Sequence, residues 1–121
     1  MRLRERDKRP VVFRERATLK EPDGTSYEGW SLTGVTIRGN VQPAGGRSMA
    51  EMYGERLGYM LTTYVEHTPE SLRLLNDFNV NKTGYGAWVY ITDDSIEPDY
   101  KLVAIRPWGA HIVIDLEAIR A

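Results

Sequence analysis

Cysteine is absent from the chain, and histidine occurs only as His67 and His111. The lack of cysteine excludes disulfides, thiolate zinc sites, iron–sulfur ligation and a cysteine nucleophile. With two histidines, a catalytic metal centre would have to take most of its ligands from carboxylates. Long hydrophobic runs are also missing, because no stretch approaches the ~20 apolar residues of a membrane span. The first residues lack the apolar run of a signal peptide. We therefore expect a protein that is made and kept in a cytoplasm, with no membrane partner.

An excess of charge of one sign is missing as well. The chain has 16 Lys and Arg against 17 Asp and Glu, a net charge of −1, which is not typical of a strongly basic nucleic-acid-binding protein. The distribution is uneven, however. Residues 1–16 hold seven basic and three acidic groups, a net +4, whereas residues 17–121 hold nine basic and fourteen acidic groups, a net −5. The sequence predicts a basic N-terminal arm over residues 1–10, followed by an acidic body.

Alternation of apolar and polar residues dominates the last third of the chain. It predicts strands over residues 87–92, 101–105 and 111–119. The acidic segment 93–99 and the tripeptide Pro107-Trp108-Gly109 separate these strands, and both contain the proline or glycine typical of a hairpin. Three such strands in sequence predict an antiparallel meander.

The first two thirds add further strands and two long loops. Residues 11–19 and 27–30 predict a hairpin, since Pro22 and Gly24 between them favour a tight turn. Strands are also predicted over residues 35–42 and 57–66.

The two loops, 44–56 and 68–86, each contain a helical segment, the first over residues 49–56. The second begins at Thr68 as N-cap, with Pro69 at the first helical position, and residues 76–86 are predicted to be loop. Residues 11–121 are therefore predicted to form a single, mainly β domain. It is a small antiparallel β-barrel or sandwich of about six to seven strands, with one or two short helical segments in loops.

No catalytic motif is present: the chain lacks a GxSxG elbow, a Walker loop and an HExxH pair. We therefore predict no enzymatic activity, no cofactor and no metal. The acids Asp93, Asp94, Glu97 and Asp99 could bind calcium or magnesium, but they lack the calcium-loop pattern, and a solvated hairpin tip is the simpler interpretation. The run Gly45-Gly46-Arg47-Ser48 could be a phosphate cradle, but we favour a mobile connection between two strands. If the run has a function, protein docking is favoured over nucleotide binding.

Aromatic residues are plentiful, with three tryptophans and seven tyrosines. On a β surface such side chains could stack nucleic-acid bases while the basic arm follows the phosphates. The acidic body would repel nucleic acid at moderate salt. Tyrosine and tryptophan also fill cores and anchor protein interfaces. The charge distribution favours this second interpretation.

The order of features resembles a known family. A strand and an Asp-Gly turn precede Arg38-Gly39-Asn40-Val41-Gln42-Pro43 and Gly45-Gly46-Arg47. A helix-prone loop and the strand 59–66 follow, and then the run Tyr100-Lys101-Leu102-Val103 with its closing strand 112–116. Over residues 11–119 this order is similar to that of the head-closure or head–tail joining (connector) proteins of tailed bacteriophages. Two features depart from the family pattern: residues 68–86 form a longer link than usual, and residues 1–9 lie outside the shared region.

The resemblance implies a structural virion protein that assembles into a homo-oligomeric ring, a dodecamer, in the neck of the phage. Such a ring closes the DNA-filled head and offers a docking surface to the tail. The portal or adaptor protein lies above it and the tail or tail-terminator protein below it, and packaged double-stranded DNA passes through without specific binding. Assembly takes place in the cytoplasm of the bacterial host. The alternatives are the adaptor or tail-terminator layer of the same connector, a small nucleic-acid-binding β-barrel and, ranked last, a cation-dependent enzyme.

Within this resemblance, the two long loops are the expected contacts between subunits, because a ring needs two different patches that meet. The predicted interface residues are Gly45, Gly46, Arg47, Met49, Met52, Tyr53, Leu72, Leu75 and Phe78. The acidic hairpin with Asp93, Asp94, Glu97 and Asp99 is expected to face the channel, since like charges shorten the residence of phosphates. The basic arm is then expected to meet an acidic partner ring.

Overall fold

A computed structural model describes residues 5–80, 82, 84–92 and 94–119, with the backbone alone for residues 5, 47 and 48. Within these residues the fold has seven strands and two α-helices. The strands are β1 (Arg9–Lys20), β2 (Ser26–Trp30), β3 (Val35–Pro43), β4 (Met60–Glu66), β5 (Tyr85–Trp88), β6 (Tyr100–Trp108) and β7 (His111–Ala118). The helices are α1 (Arg47–Tyr53) and α2 (Pro69–Asn79), and short 3₁₀ segments cover Glu5–Asp7 and Gly54–Tyr59.

All strand pairings are antiparallel, in the order β2-β1-β3-β4-β7-β6-β5. A further pairing of β1 with β5 closes six of the strands into a barrel and leaves β2 outside it. The prediction of a mainly β, antiparallel barrel is therefore confirmed. The meander predicted at the C-terminal end is also present, as β5, β6 and β7.

Strand β1 is 12 residues long and pairs with three other strands. Residues 9–13 pair with β3 and residues 12–15 pair with β5, which closes the barrel. Residues 16–20 continue past these pairings and pair with β2. We call residues 16–30 the β1–β2 ribbon. It is the predicted N-terminal hairpin, with its turn at residues 21–25.

The barrel interior is filled by the inward-facing side chains of its strands. Val11 and Phe13 of β1 are fully buried, as are Ile112, Ile114 and Leu116 of β7. Such close packing leaves no open channel through a single barrel.

One glycine sets the spacing of β3 and β4. A Cβ atom on Gly39 would lie 2.7 Å from side-chain atoms of both Thr63 and Val65. Only glycine lets these two strands pack at this distance, because a Cβ contact below about 3 Å is not tolerated.

Helix α2 begins where the sequence predicts. The Thr68 hydroxyl accepts a hydrogen bond from the Ser71 backbone N–H at 3.2 Å, and the Ser71 hydroxyl accepts one from the Thr68 N–H at 2.9 Å. This reciprocal capping box, with Pro69 next to the cap, satisfies two backbone donors at the helix start. Leu74 is the leucine of this helix that is fully buried, and it belongs to the core, whereas Leu72 is 45% exposed.

The helix also runs further than predicted, through Asn79 into the segment expected to be loop. The Asn79 side chain donates a hydrogen bond of 2.9 Å to the carbonyl of Ile105 in β6. That bond ties the end of α2 to the barrel. Among the described residues, no helix is long and apolar enough to cross a lipid bilayer.

Candidate protein-interaction surface

Two carboxylates are buried on the outer side of the barrel. Asp115 and Glu117 lie on the face of β7 opposite the core-facing Ile114 and Leu116, and they are 0% and 4% exposed. Oδ2 of Asp115 accepts a hydrogen bond of 2.8 Å from the Tyr53 hydroxyl. It accepts another of 2.7 Å from Arg106. A buried charge is costly unless it is paired and hydrogen-bonded, and these contacts offset that cost.

Glu117 has a different partner. The Arg56 guanidinium donates two hydrogen bonds to its carboxylate, at 3.0 and 2.8 Å. This bidentate geometry is the strong form of an arginine–carboxylate pair. The Lys101 ammonium lies 3.7 Å from the same carboxylate. Residues 47–59, which we call the cover segment, are thus fixed to the barrel at Tyr53 and at Arg56.

The two carboxylates lie beneath their cations. The side chains of Arg106, Arg56 and Lys101 are 39%, 47% and 55% exposed, whereas those of Asp115 and Glu117 are almost completely covered. Solvent therefore meets positive charge on this side of an otherwise acidic molecule. The sequence analysis missed both carboxylates. The available signal was the pair of acids two positions apart on the outer face of one strand. Glu117 lies opposite Lys101 of the neighbouring strand, whereas Arg106 lies opposite Val113 and reaches Asp115 diagonally.

Tyr53 was predicted to be an interface residue, but its hydroxyl points inward to Asp115. Burial, with the hydrogen bond to Asp115 and the charge of that group, raises the pKa of Tyr53 to about 12. Burial and the charge of Asp77 likewise raise the pKa of Tyr85 to about 12. Both tyrosines therefore resist ionisation in the folded protein more than in the unfolded chain.

This difference predicts a loss of stability at alkaline pH. An unfolded tyrosine ionises near pH ~10, and the folded Tyr53 near pH 12. The unfolded chain loses the tyrosine proton at a lower pH than the folded chain does. The stabilisation that protonated Tyr53 contributes is therefore fully present below pH ~10 and is lost as the pH rises toward about 12. Tyr53→Phe should cost about 1 kcal/mol at neutral pH and should lose less stability than the parent between pH 8 and pH 11. Urea unfolding at the two pH values measures both effects. An unchanged alkaline loss in Tyr53→Phe, with Tyr85→Phe as the parallel variant, would contradict this assignment.

A groove runs beside the cover segment, across the outer face of β3, β4, β7 and β6. It consists of two adjoining cavities of about 500 and 550 Å³ that share Gln42, Tyr64, Trp108 and Val113. Met49 and Met52 form the wall on the side of α1. Trp108 and Met52 are 65% and 62% exposed. Tryptophan, tyrosine, methionine and arginine are the residue types enriched in protein interfaces, and methionine adapts to irregular partners.

The groove brings together part of the predicted interface. Gly45, Gly46, Met49 and Met52 all line it. Gly46 has a φ of +96° and is the N-cap of α1, a conformation that favours glycine. The side chain of Arg47 lies outside the described atoms, although its backbone starts α1. Sequence reasoning missed Trp108, Tyr64 and Arg106, which come from strands distant in sequence.

The predicted interface residues of the second loop lie elsewhere. Leu75 and Phe78 of α2 pack against the barrel core, and Leu72 is exposed on the other side of the helix. None of the three lines the groove. The two long loops therefore do not form one surface.

The described residues of the acidic segment 93–99, namely 94–99, pack against Trp88 of the barrel and Trp30 of the ribbon and do not form a free hairpin tip. The indole N–H of Trp88 donates to the carbonyl of Ser95 at 3.0 Å, and that of Trp30 donates to Glu97 at 3.2 Å. Pro98 is buried against Gly86, where a Cβ would lie 2.8 Å from the proline ring. We call this segment the acidic loop.

Its acids have different surroundings. Asp99 accepts hydrogen bonds of 2.9 Å from the backbone N–H groups of Val89 and Tyr90, so its carboxylate is committed to the chain. Asp94 is exposed and accepts a hydrogen bond from the Thr92 hydroxyl. Asp93 lies outside the described residues. Of the four acids predicted to face a channel, Asp94 and Glu97 are therefore the exposed ones that the structure describes, and Asp99 is bound to the backbone.

Three arginines of the N-terminal region lie over aromatic rings. Arg14 is 5.3 Å from the ring centre of Trp88, Arg16 is 4.9 Å from Trp30, and Arg9 is 4.4 Å from Tyr90. These are cation–π contacts within the chain. Because Trp88 is 1% exposed, its ring is not a surface on which a base could stack.

The part of the chain that the structure describes contains no group of three or more histidine, aspartate or glutamate residues that could hold a metal ion. The chain matches no protein-family model, no curated protein and no solved structure. The fold is that of a small closed β-barrel, and on its described surface the groove exposes aromatic and sulfur-containing side chains.

Proposed function

We propose that the protein is a structural subunit of the neck of a tailed bacteriophage. In this role it forms a ring between the portal or adaptor and the tail, closes the DNA-filled head and presents a docking surface to the tail. The observation that carries the proposal is the groove, since an exposed Trp108 and Met52 on a barrel this small are typical of a surface that is covered by another protein. The order of sequence features over residues 11–119 supports the same role.

The barrel interior also bears on how DNA would pass. Phe13, Ile112 and the other inward-facing side chains fill it, so DNA passes only through the hole at the centre of a ring of copies. Glu97 and Asp94 supply negative charge for the wall of such a channel. A ring of identical subunits needs two different patches that meet, and the groove provides one of them.

Two neighbouring roles remain alternatives. The adaptor and tail-terminator layers of the same connector would use a ring and a groove in the same way. A nucleic-acid-binding barrel has less support, because Arg14 and Arg16 already stack on Trp88 and Trp30.

The proposal is tested by assembly with the portal protein encoded in the same genome. We expect electron microscopy to show rings, with twelve copies, that form alone or on the portal. The variant Met52→Glu/Trp108→Ser should abolish the rings while leaving thermal unfolding nearly unchanged, because both side chains are exposed. Leu32→Ser, at an 81% exposed position outside the groove, is the matched control.

Two outcomes would contradict this function. One is a monomer at every concentration, with and without the portal. The other is tight binding of single-stranded DNA that weakens with salt, which would favour the nucleic-acid-binding alternative.

A further inference from the structure

We propose that the β1–β2 ribbon of one copy docks in the groove of the next copy. This inference rests on the proposed function, in that it names the second patch of the ring contact. It follows from three observations on the described residues: the open face of the ribbon, its position relative to the groove, and the match in size and charge.

The ribbon has an apolar face that is partly exposed in the described residues. Leu19 and Tyr27 pair directly across its two strands, and Ala17 pairs with Gly29 on the same face. Tyr27 is 44% exposed. In the described part of the chain, β2 pairs with β1 alone. A two-stranded ribbon is marginally stable in water, so a partner that covers this face stabilises it.

The strand order places the ribbon opposite the groove. Around the closed barrel the order is β1, β3, β4, β7, β6, β5, so β1 and β7 are three strands apart in either direction. The ribbon continues from β1, whereas the groove has Val113 of β7 at its floor. Two different patches on opposite sides give a head-to-tail contact that repeats from copy to copy, and this contact makes a ring when its rotation closes.

The two surfaces also match in size and charge. Each ribbon strand has five paired residues, about 16 Å of strand, and the groove crosses four strands, about 14 Å. The turn of the ribbon carries Glu21 and Asp23, both exposed. The groove side presents the Arg106 guanidinium above its buried carboxylate partner. Opposite charges on the two patches favour this pairing over a contact between two identical grooves.

The absence of cysteine makes a clean cross-linking experiment possible. Tyr27→Cys and Met52→Cys are prepared as single variants, mixed in equal amounts under the conditions that give rings, and treated with a short bismaleimide. We expect a cross-linked dimer in the mixture, at least tenfold more than in either variant alone. Leu19→Cys with Trp108→Cys is the second pair. Ile96→Cys with Met52→Cys is the control, because Ile96 is 86% exposed and lies outside both surfaces.

The outcomes separate this inference from the proposed function. Rings in which both test pairs cross-link no better than the control pair would overturn the ribbon–groove contact and leave the ring. Cross-linking of the test pairs in open chains without closed rings would support the contact and contradict the ring. Absence of both assembly and cross-linking would overturn the two proposals together. Circular dichroism of each cysteine variant establishes that it is folded before mixing.

Discussion

Trp88→Ala should lower the free energy of unfolding by about 3 to 5 kcal/mol. The side chain is 1% exposed, packs edge-on against Trp30 with ring centres 5.9 Å apart, and donates its indole N–H to Ser95. Its removal leaves a cavity on the outer side of β5 and takes away the hydrogen bond to Ser95 of the acidic loop. Against a total stability of 5 to 15 kcal/mol for a typical domain, the loss is large. Urea unfolding of the parent and the variant measures it.

The variant Trp88→Phe distinguishes the contribution of the aromatic ring to stability from that of the indole hydrogen bond. It keeps an aromatic side chain and loses the donor to Ser95, so we expect a smaller cost of about 1 to 2 kcal/mol. Limited proteolysis should also cut the acidic loop sooner in Trp88→Ala than in Trp88→Phe. If both variants unfold with the parent and are cut at the same rate, Trp88 does not hold the acidic loop to the barrel.

The strands could be predicted because one side of each faces a filled interior. In β7 the residues Ile112, Ile114 and Leu116 alternate with outward-facing ones, and all three are buried in the core. The turn between β6 and β7 was readable at Gly109, which has a φ of +58°. Pro107 and Trp108, predicted to be part of that turn, instead belong to β6 and pair with Ile112 and His111. Local patterns of this kind depend on neighbours in sequence.

The remaining features depend on residues far apart in sequence. Strand β5 ends at Trp88, four residues before the predicted end. The reason is that Asp99 binds the N–H groups of Val89 and Tyr90 in place of a neighbouring strand. The alternation of apolar and polar residues within 87–92 does not indicate this contact with Asp99. The packing of the acidic segment, which was predicted to be a solvated hairpin tip, likewise depends on contacts that the local sequence pattern does not contain.

The groove shows the limit most clearly. Met49, Met52, Gly45 and Gly46 were predicted together because they are neighbours in one segment of the sequence, and all four line the groove. Trp108 and Tyr64 join them only because β4, β7 and β6 are neighbours in the barrel. The cover segment buries Asp115. The sequence alone shows only an outward-facing acid of a strand at this position.

Arg106→Met should cost about 2 to 3 kcal/mol, which is less than the ~3–5 kcal/mol for a fully buried pair, because water screens a half-exposed guanidinium. Asp115 is fully buried, and both of its hydrogen bonds are accepted by Oδ2. In the described part of the chain its Oδ1 has no partner. Without Arg106 the carboxylate keeps only the Tyr53 hydroxyl, and a buried charge is left uncompensated.

Lys101→Met is the matched control. Its ammonium is 55% exposed and 3.7 Å from Glu117, which Arg56 already binds at two points, so we expect a change within about 0.5 kcal/mol. The double variant Arg106→Met/Asp115→Leu should recover most of the stability, because it removes the stranded charge together with its partner. A double variant whose loss equals the sum of the two single losses would contradict this explanation. Since Tyr53 holds α1 to Asp115, Arg106→Met should also loosen the wall of Met49 and Met52 and weaken ring assembly more than Lys101→Met does.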